Sequence, residues 1–362
     1  MQTTTEGRGF HRRRYLEAAG ERVSSLHLFD HRAYLGRTVV RVAGVGGVTT
    51  EHAHRNKGYA RSLMDDTHAM LFEEGYDVAV LFGIPGFYEK FGYATCVGEV
   101  KTTVATRDIE AAGRGGAFRA RPFAPEDFPA VQELFTQKNA GRGMCLLRPH
   151  GWSGRWRHGS AFRTDALVTV LEGPGGEFAG YAVCDALPEP LVVAEAEVRA
   201  AEARAALMKV LAQKAIERRE GQVAFQLPAD HELVDALRPL GCNIERAYPT
   251  SGGVMARIIN QDALLARVVS GTSEAAADGT RDALAADIST ELTCSSLMPH
   301  ARTGNKAEIA MPASVLLQLL TGFRTPGEIA AARDVSIEGP GLDVLKALAP
   351  CREPQMYGPD RF

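Results

Sequence analysis

Apolar residues in the first hundred positions fall into short runs separated by glycines and charged residues. Three closely spaced runs predict the strands of a meander: Val23–Leu28, Thr38–Val42 and Val45–Thr49. A further run predicts a strand over Cys96–Thr106. Ahead of the meander, the charged segment Arg12–Ala19 is long enough for one short helix with its arginines in solvent. The N-terminal block is therefore predicted to be built around a meander of strands.

One amphipathic segment interrupts these strands. From Tyr59 to Glu74 apolar residues recur at helical spacing, and Gly75 stands where a C-cap glycine is expected. The turn that opens this helix is basic and contains a glycine: Arg55-Asn56-Lys57-Gly58-Tyr59-Ala60. Backbone N–H groups converge at a helix N-terminus, and a glycine there lets a phosphate approach closely. The turn is predicted to hold a pyrophosphate; the alternative is an ordinary strand–turn–helix connection.

A buried strand and an aromatic segment follow the helix. Val78–Phe82 is continuously apolar, and it is followed by the aromatic-rich run Phe87-Tyr88-Glu89-Lys90-Phe91-Gly92-Tyr93. Each of these parts is common by itself, and short motif matches are prone to false positives. Their joint occurrence in this order is the most specific pattern in the chain.

The middle of the chain repeats the same order of elements. Strands, a hairpin, a long alanine-rich helix and a last strand are predicted: Phe118–Phe123, Leu167–Leu171, Phe178–Val183, Val192–Val198, Ala201–Arg219 and Val223–Leu227. The turn after Val198 lacks a glycine, so backbone amides could not approach a pyrophosphate there as they could around Gly58. The middle block is therefore interpreted as a copy of the first block without its chemistry.

A third block begins near Asn260. It is predicted to contain strands and two helices: Ile288–Thr293, Ala307–Met311, Ala313–Leu320 ending at Gly322, and Pro326–Arg333. The chain closes with an aromatic–Gly–Pro turn and then Asp360-Arg361-Phe362. These divisions predict three domains, at residues 1–106, 107–258 and 259–362.

Composition and charge argue against several classes of protein. The 362 residues are 45% hydrophobic, and the net charge of −3 provides no field that would attract nucleic acid or an anionic membrane. No apolar run approaches the ~20 residues of a spanning helix, and no signal peptide is evident. The six cysteines contain no CxxC pair and the ten histidines no HExxH pattern, so no disulfide framework and no metal site are predicted. A cytoplasmic protein is expected, and a nucleic-acid-binding regulator fits poorly.

Residues 46–93 resemble the acyl-CoA-binding core of the Gcn5-related N-acetyltransferases (GNAT). The turn from Arg55 through Gly58 to Ala60 matches their pyrophosphate loop, and Phe87–Tyr93 matches their FYxxxGF/Y segment. The order of the three blocks resembles the enhanced-intracellular-survival (Eis) family. That resemblance implies an α+β (mixed α/β) fold of tandem GNAT folds, the second degenerate, with a C-terminal sterol-carrier-protein-like (SCP2-like) domain. It also implies a homo-oligomer, a hexamer in that family.

The resemblance further implies an N-acetyltransferase that moves an acetyl group from acetyl-CoA to a primary amine, such as an aminoglycoside, a polyamine or a lysine side chain. The implied cofactor-binding residues lie on a strand end and the basic turn: Val48, Thr49, Thr50, Arg55, Asn56, Lys57, Gly58, Tyr59 and Ala60. Tyr88 matches the family tyrosine that protonates the leaving thiolate, and Tyr93 is the second candidate. The carboxylate of the terminal Phe362 matches the family base, acting through water or by positioning the ammonium.

Two alternatives stay open at this point. About twenty residues precede Val23, whereas GNAT proteins usually have a strand and two helices there that wall the acceptor groove. The groove is then more open, completed by another subunit, or incomplete. A non-catalytic acyl-CoA-binding or lipid-binding protein is the alternative function, and the short N-terminus favours it. Tyr88 and Phe362 favour catalysis, unless the tyrosine only packs beside its aromatic neighbours.

Overall fold

A computed structural model describes residues 1–35, 38–113, 116–148, 166–185, 190–275, 287–288, 296–297, 299–300, 308–339, 341–350 and 352–361. The strands in chain order are β1 (Gln2–Arg8), β2 (His11–Ala18), β3 (Glu21–Leu35), β4 (Thr38–Thr50), β5 (Val78–Gly83), β6 (Ala94–Thr95), β7 (Glu99–Ala105), β8 (Arg119–Pro122), β9 (Leu146–Leu147), β10 (Leu167–Glu172), β11 (Phe178–Asp185), β12 (Leu191–Val198), β13 (Gln222–Phe225), β14 (Asn243–Ala247), β15 (Gly253–Ile258), β16 (Asp287–Ile288), β17 (Ser296–Leu297), β18 (Pro299–His300), β19 (Glu308–Ala310) and β20 (Ser336–Glu338). The helices are α1 (Tyr59–Glu73), α2 (Thr106–Ala112), α3 (Phe128–Asn139), α4 (Ala201–Glu217), α5 (Glu232–Leu237), α6 (Gln261–Ala275), α7 (Ala313–Thr321), α8 (Pro326–Ala330) and α9 (Gly341–Leu348).

Two large mixed sheets carry the same plan. The first has eight strands in the order β1-β2-β3-β4-β5-β15-β6, with β9 paired to β3. The second has seven, in the order β14-β7-β13-β12-β11-β10-β8. In the first sheet, β4 and β5 are parallel and are joined through α1. In the second sheet, β12 and β13 are parallel and are joined through α4. The predicted tandem arrangement of two mixed α/β folds is confirmed.

The two sheets exchange strands. β7 follows the aromatic segment of the first block but pairs with β13 and β14 in the second sheet. β15 comes from the end of the middle block and inserts between β5 and β6 of the first sheet. The sheets are therefore not contiguous in sequence, and the predicted boundaries at residues 106 and 258 do not separate them strand by strand.

The helix predicted over Arg12–Ala19 is wrong, because this segment forms strand β2. Its arginines alternate instead of lining a solvated helix face. Arg12 makes a paired contact with the Glu74 carboxylate, at 2.7 Å for each Nη–Oε distance. Arg14 is buried and donates from Nε to the Thr67 hydroxyl at 3.1 Å. Both guanidinium groups therefore face α1 across the strand, where acidic and hydroxyl groups satisfy them.

Helix α1 packs its apolar face on the first sheet. The buried residues recur at helical spacing: Leu63, Met64, Thr67, His68 and Leu71. The apolar ones, Leu63, Met64 and Leu71, form one core cluster with apolar residues of β2, β3, β4 and β5. The opposite face of this sheet is covered by α6 and α7, whose leucines share a second cluster with Val40, Val42, Val78 and Val80. Both faces are thus buried, and the ends of the parallel pair are left for a ligand.

The third block agrees in part with its predicted elements. β19 lies within the predicted strand Ala307–Met311, and α7 ends at Gly322 in a left-handed conformation, with φ +84°. α8 is shorter than the predicted helix Pro326–Arg333. The predicted strand Ile288–Thr293 lies mostly outside the described residues. The SCP2-like character of this block stays a prediction.

Candidate active site

A cleft opens where the two parallel strands of the first sheet part. β4 and β5 are paired from Val42 with Val78 to Val45 with Leu81. Beyond that point β5 continues beside β15, and β4 continues to Thr50 beside β3. From Gly46 onward, the edge of β4 that faced β5 has no neighbouring strand among the described residues. An edge with unpaired backbone groups offers hydrogen bonds to an extended ligand with amide groups.

A β-bulge shapes this exposed edge. Thr49 lies opposite Ser25, and Gly46 lies opposite His27, so two residues of β4 face one of β3. Gly47 sits in the bulge with φ +56°. The carbonyl of Thr49 accepts a hydrogen bond from the Ser24 hydroxyl at 2.7 Å, which fixes the strand beyond the bulge. The bulge therefore holds Val48 and Thr49 in a defined orientation at the cleft.

The basic turn ends in an open helix N-terminus. Asn56 and Gly58 have left-handed backbone conformations, with φ +61° and +80°. The first amide of α1 to donate to the backbone belongs to Ser62, which binds the Gly58 carbonyl at 3.0 Å. Within the described part of the chain, the amides of Tyr59 and Ala60 donate no backbone hydrogen bond. A Cβ added to Gly58 would meet no heavy atom within 4 Å. Free amides beside open space are the features of an anion site.

The charge around this turn is positive. Arg55, Lys57 and Arg61 are exposed, and none of them pairs with an acidic side chain among the described residues. The Arg55 Nε donates to the Thr50 carbonyl at 3.2 Å, which ties the turn to the end of β4. The Arg61 guanidinium lies 5.3 Å from the centre of the Phe91 ring. The positive end of the α1 dipole adds to these cations, so the turn attracts a polyanion.

Tyr88 is positioned by its backbone and its aromatic neighbours. Its carbonyl accepts hydrogen bonds from the amides of Phe91 at 3.0 Å and Tyr93 at 3.3 Å. Its ring meets Phe87 edge-on at 4.9 Å and Tyr93 at 6.1 Å. The side chain is half-buried, and burial raises the pKa of the Tyr88 phenol above its ordinary value. Within the described residues its hydroxyl has no hydrogen-bond partner, so it is available to a ligand.

Tyr93 has a different environment. It is buried, and its hydroxyl lies 3.0 Å from Nε2 of His68. The other ring nitrogen of His68 lies 3.2 Å from Nη1 of Arg257, which also donates to the Phe91 carbonyl. Because the guanidinium can only donate, Nδ1 of His68 accepts and Nε2 carries the proton towards Tyr93. Tyr93 is therefore engaged in a structural network that includes the exchanged strand β15.

The buried His68 makes stability depend on pH. Burial, and secondly the charge of Arg257, lower the pKa of His68 to about 3, against about 6.5 in the unfolded chain. The unfolded chain therefore takes up a proton that the folded protein excludes, and stability present above pH ~6.5 is lost as pH falls towards 3, by up to ~1.4 kcal/mol per pH unit. Urea unfolding at pH 7.5 and 5.5 should show a drop about 1 kcal/mol larger in wild type than in His68→Gln. The exposed His52→Gln is the control, and equal drops in wild type and His68→Gln would contradict this expectation.

A second set of side chains at the cleft has no counterpart in the sequence-based prediction. His27 packs against Gly47 in the bulge, 3.0 Å from where a Cβ of that glycine would stand. Its ring stacks on that of His11, with Nδ1 of His27 2.8 Å from Nε2 of His11. Phe29 also stacks on His11. Burial, and then the charges of His11 and Arg13, lower the pKa of His27, which favours its neutral form. His27, Phe29 and His31 alternate along β3 and so share one face of the strand, and this spacing is the sequence feature from which the cluster could be predicted.

The predicted site residues are distributed as follows. The structure brings together the strand end and the basic turn, which contain Val48, Thr49, Thr50, Arg55, Asn56, Lys57, Gly58, Tyr59 and Ala60. Val48, Tyr59 and Tyr88 pack against the same core cluster under α1. Phe362 lies outside the described residues, and all these assignments stay predictions. No group of three or more potential metal ligands is found in the described residues, and no helix there is long and apolar enough to cross a membrane.

Sequence comparison identifies part of the chain. Residues 8–96 match the family model described as an acetyltransferase (GNAT) domain. The chain is 28% identical over 170 residues to the N-acetyltransferase Eis of Mycobacterium bovis, a match that covers 44% of this chain and 39% of that protein. The Eis protein of Mycobacterium tuberculosis is also 28% identical, over 159 residues and 36% of its length. The chain thus matches about two-fifths of the length of these curated relatives.

Solved structures match over almost the whole chain. A GCN5-related N-acetyltransferase from Anabaena variabilis has a TM-score of 0.69 at 17% identity, covering 95% of this chain and 88% of that one. Eis1 from Mycobacterium abscessus has a TM-score of 0.65 at 16% identity, covering 98% of this chain and 91% of that one. At such identities the likeness concerns the fold. Residues 8–96 therefore match an acetyltransferase (GNAT) domain, within a chain whose mixed α/β fold is similar to that of Eis1.

Proposed function

We propose that the protein is an acetyl-CoA-dependent N-acetyltransferase that acts on a primary amine. The observation that carries this proposal is the N-terminus of α1, where Gly58 and the basic side chains surround open space beside the cleft. Among the described residues, the first amides of the helix donate no backbone hydrogen bond and these cations pair with no carboxylate. The pyrophosphate of acetyl-CoA binds at this turn. Its pantetheine arm runs along the β4 edge, where Val48, Thr49 and Thr50 supply backbone groups.

Acetyl transfer needs an unprotonated amine, a polarised carbonyl and a proton for the leaving thiolate. The amine nitrogen attacks the thioester carbon, and a backbone N–H near the bulge stabilises the developing oxyanion. The C–S bond then breaks, and Tyr88 gives its proton to the sulfur. Because burial raises the pKa of Tyr88, the phenol keeps this proton at neutral pH until the thiolate forms.

The amine also has to lose a proton. The carboxylate of Phe362 takes it, directly or through water, or holds the ammonium in place before attack. His27, beside the bulge, is a second group that could receive this proton, because its lowered pKa favours the unprotonated ring. The acceptor classes are aminoglycosides, polyamines and lysine side chains, as in the Eis-like resemblance. Assembly into a hexamer belongs to the same proposal.

The test is acetyl-CoA turnover with a thiol-detecting assay. Purified protein is assayed with a panel of aminoglycosides, polyamines and lysine peptides, and the rate without an amine measures hydrolysis. We expect CoA release above that background for at least one amine class, with the acetylated product identified by mass spectrometry. Tight acetyl-CoA binding without turnover on any amine would contradict the proposal and favour an acyl-CoA-binding protein.

A further inference from the structure

The second sheet contains a cleft of the same origin as the first. β12 and β13 are paired only from Leu191 with Val223 to Val193 with Phe225, although β12 continues to Val198. The connection from β12 to α4 consists only of Arg199 and Ala200, and the Arg199 amide is already bonded to the carbonyl of Ala179. This connection has no glycine and no room for a pyrophosphate loop. The second cleft therefore lacks the features on which CoA binding is proposed for the first one.

The tail of the chain, residues 355–361, lies against this second cleft. Gln355 donates from its side chain to the carbonyl of Gln226, just after β13, at 3.2 Å. The Tyr357 hydroxyl donates to Asn139 at 2.8 Å, and its ring meets Phe135 edge-on at 5.3 Å. The turn at residues 358–360 contacts β12. The tail is buried from 355 to 360, so it occupies the place that a ligand would take.

One arginine joins the tail to the strand. Arg148 binds both oxygens of Asp360, from Nε at 2.9 Å and from Nη2 at 3.1 Å. Its Nη1 binds Glu195 of β12 at 2.8 Å, and Tyr181 donates to the same carboxylate at 2.6 Å. The three charged side chains are at most 1% exposed. These buried charges are strongly coupled, because Arg148 is shared by both carboxylates and its loss would leave each of them without this partner.

The tail leaves the second cleft in the direction of the first domain. The guanidinium of Arg361 lies 5.7 Å from the centre of the Phe82 ring, on β5. β5 forms one side of the candidate active-site cleft. The residue directly after the anchor at Asp360 therefore contacts the strand that borders the first cleft.

We propose that the second cleft is a binding site for the chain's own tail, and that Arg148 is a positioning residue that directs the tail to the active site. In the degenerate domain, a segment of the chain lies where the first domain is proposed to bind its cofactor. Its catalytic consequence rests on the proposed function, in which residue 362 supplies a carboxylate. We call the contacts of Arg148 with Glu195 and Asp360 the clamp. The clamp does not depend on that catalytic role, because it consists of side chains outside the first cleft.

The test is the full-length Asp360→Asn variant, followed by hydrogen exchange of the tail and by steady-state kinetics. Asparagine has the same shape and its one amide oxygen keeps one of the two hydrogen bonds from Arg148, so we expect the fold to be retained. The amides of Asp360 and Arg361 donate to the carbonyls of Tyr357 and Gly358. We expect them to exchange about tenfold faster in the variant, because a charged hydrogen-bond partner is lost. We also expect a lower kcat with an unchanged KM for acetyl-CoA.

Asp127→Asn is the matched control. Arg121 lies on β8, at the far edge of the same sheet, and binds both oxygens of Asp127 at 2.6 and 2.7 Å. This control should change neither tail exchange nor kcat. Tyr357→Phe, which removes only the bond to Asn139, should accelerate exchange in the same peptide as Asp360→Asn.

The outcomes separate the two proposals. If the tail amides exchange hydrogen at the wild-type rate in both tail variants, the proposed clamp is contradicted, whatever the activity. Faster exchange with a wild-type kcat overturns the positioning role of Arg148 and leaves acetyl transfer intact. Absence of turnover in wild type contradicts the proposed function, whereas the exchange rates still decide whether the tail is clamped.

Discussion

Replacing Tyr88 by phenylalanine is expected to lower kcat for acetyl transfer by about 10²–10³-fold, which lies within the range for a lost general acid. The substitution removes one oxygen atom and keeps the ring. Contacts with Phe87, Phe91 and Tyr93 are retained, so the free energy of unfolding should change little. The Kd for acetyl-CoA should also stay near the wild-type value, because the hydroxyl acts on the sulfur only as the C–S bond breaks.

Tyr93→Phe is the matched control, because it removes the same atom from the neighbouring tyrosine. The Tyr93 hydroxyl is bonded to His68 inside the core, so its loss should lower the free energy of unfolding by about 1 kcal/mol. Its kcat should remain close to wild type. Thiol-release kinetics and urea unfolding of both variants measure these effects. A Tyr88→Phe enzyme with normal kcat, or a Tyr93→Phe enzyme without activity, would show that the acid is wrongly assigned.

The parts of the site that are local in sequence could be predicted from it. Helix α1, its glycine C-cap and the basic turn follow from spacing within about twenty residues, and the turn geometry agrees with that pattern. The strand–turn–helix–strand order is local as well. The acid role of Tyr88 came from family resemblance, since periodicity alone cannot distinguish a catalytic phenol from a packed one.

The parts that depend on distant contacts could not be predicted. β7 and β15 have ordinary strand patterns, and nothing local indicates that they exchange sheets. The Arg148 contact with Asp360 joins residues 212 positions apart, and each of them looks like an exposed charge in sequence. β2 was mistaken for a helix because its charges suggested a solvated face. The alternation of Arg12 and Arg14 is only meaningful once α1 lies across the strand.

Replacing Gly58 by alanine is expected to raise the Kd for acetyl-CoA by about 10–100-fold, because a methyl group would stand among the amides that hold the pyrophosphate. In the free protein the added Cβ meets no heavy atom within 4 Å. The only cost to folding is the left-handed backbone at φ +80°, about 1–2 kcal/mol for a residue with a Cβ. Binding and stability are therefore predicted to change for separate reasons.

Gly75→Ala distinguishes the loss of acetyl-CoA binding from the cost of a left-handed backbone. Gly75 lies at the other end of α1 with φ +74°, and a Cβ added there also meets no heavy atom within 4 Å. Both variants should thus lose similar free energy of unfolding, measured with urea. Only Gly58→Ala should lose affinity in calorimetric titration with acetyl-CoA. If both variants bind acetyl-CoA equally well, the pyrophosphate does not contact this turn, and the free amides of α1 have another purpose. If Gly58→Ala alone binds weakly, the open space beside those amides is the cofactor site, since strain is common to both substitutions.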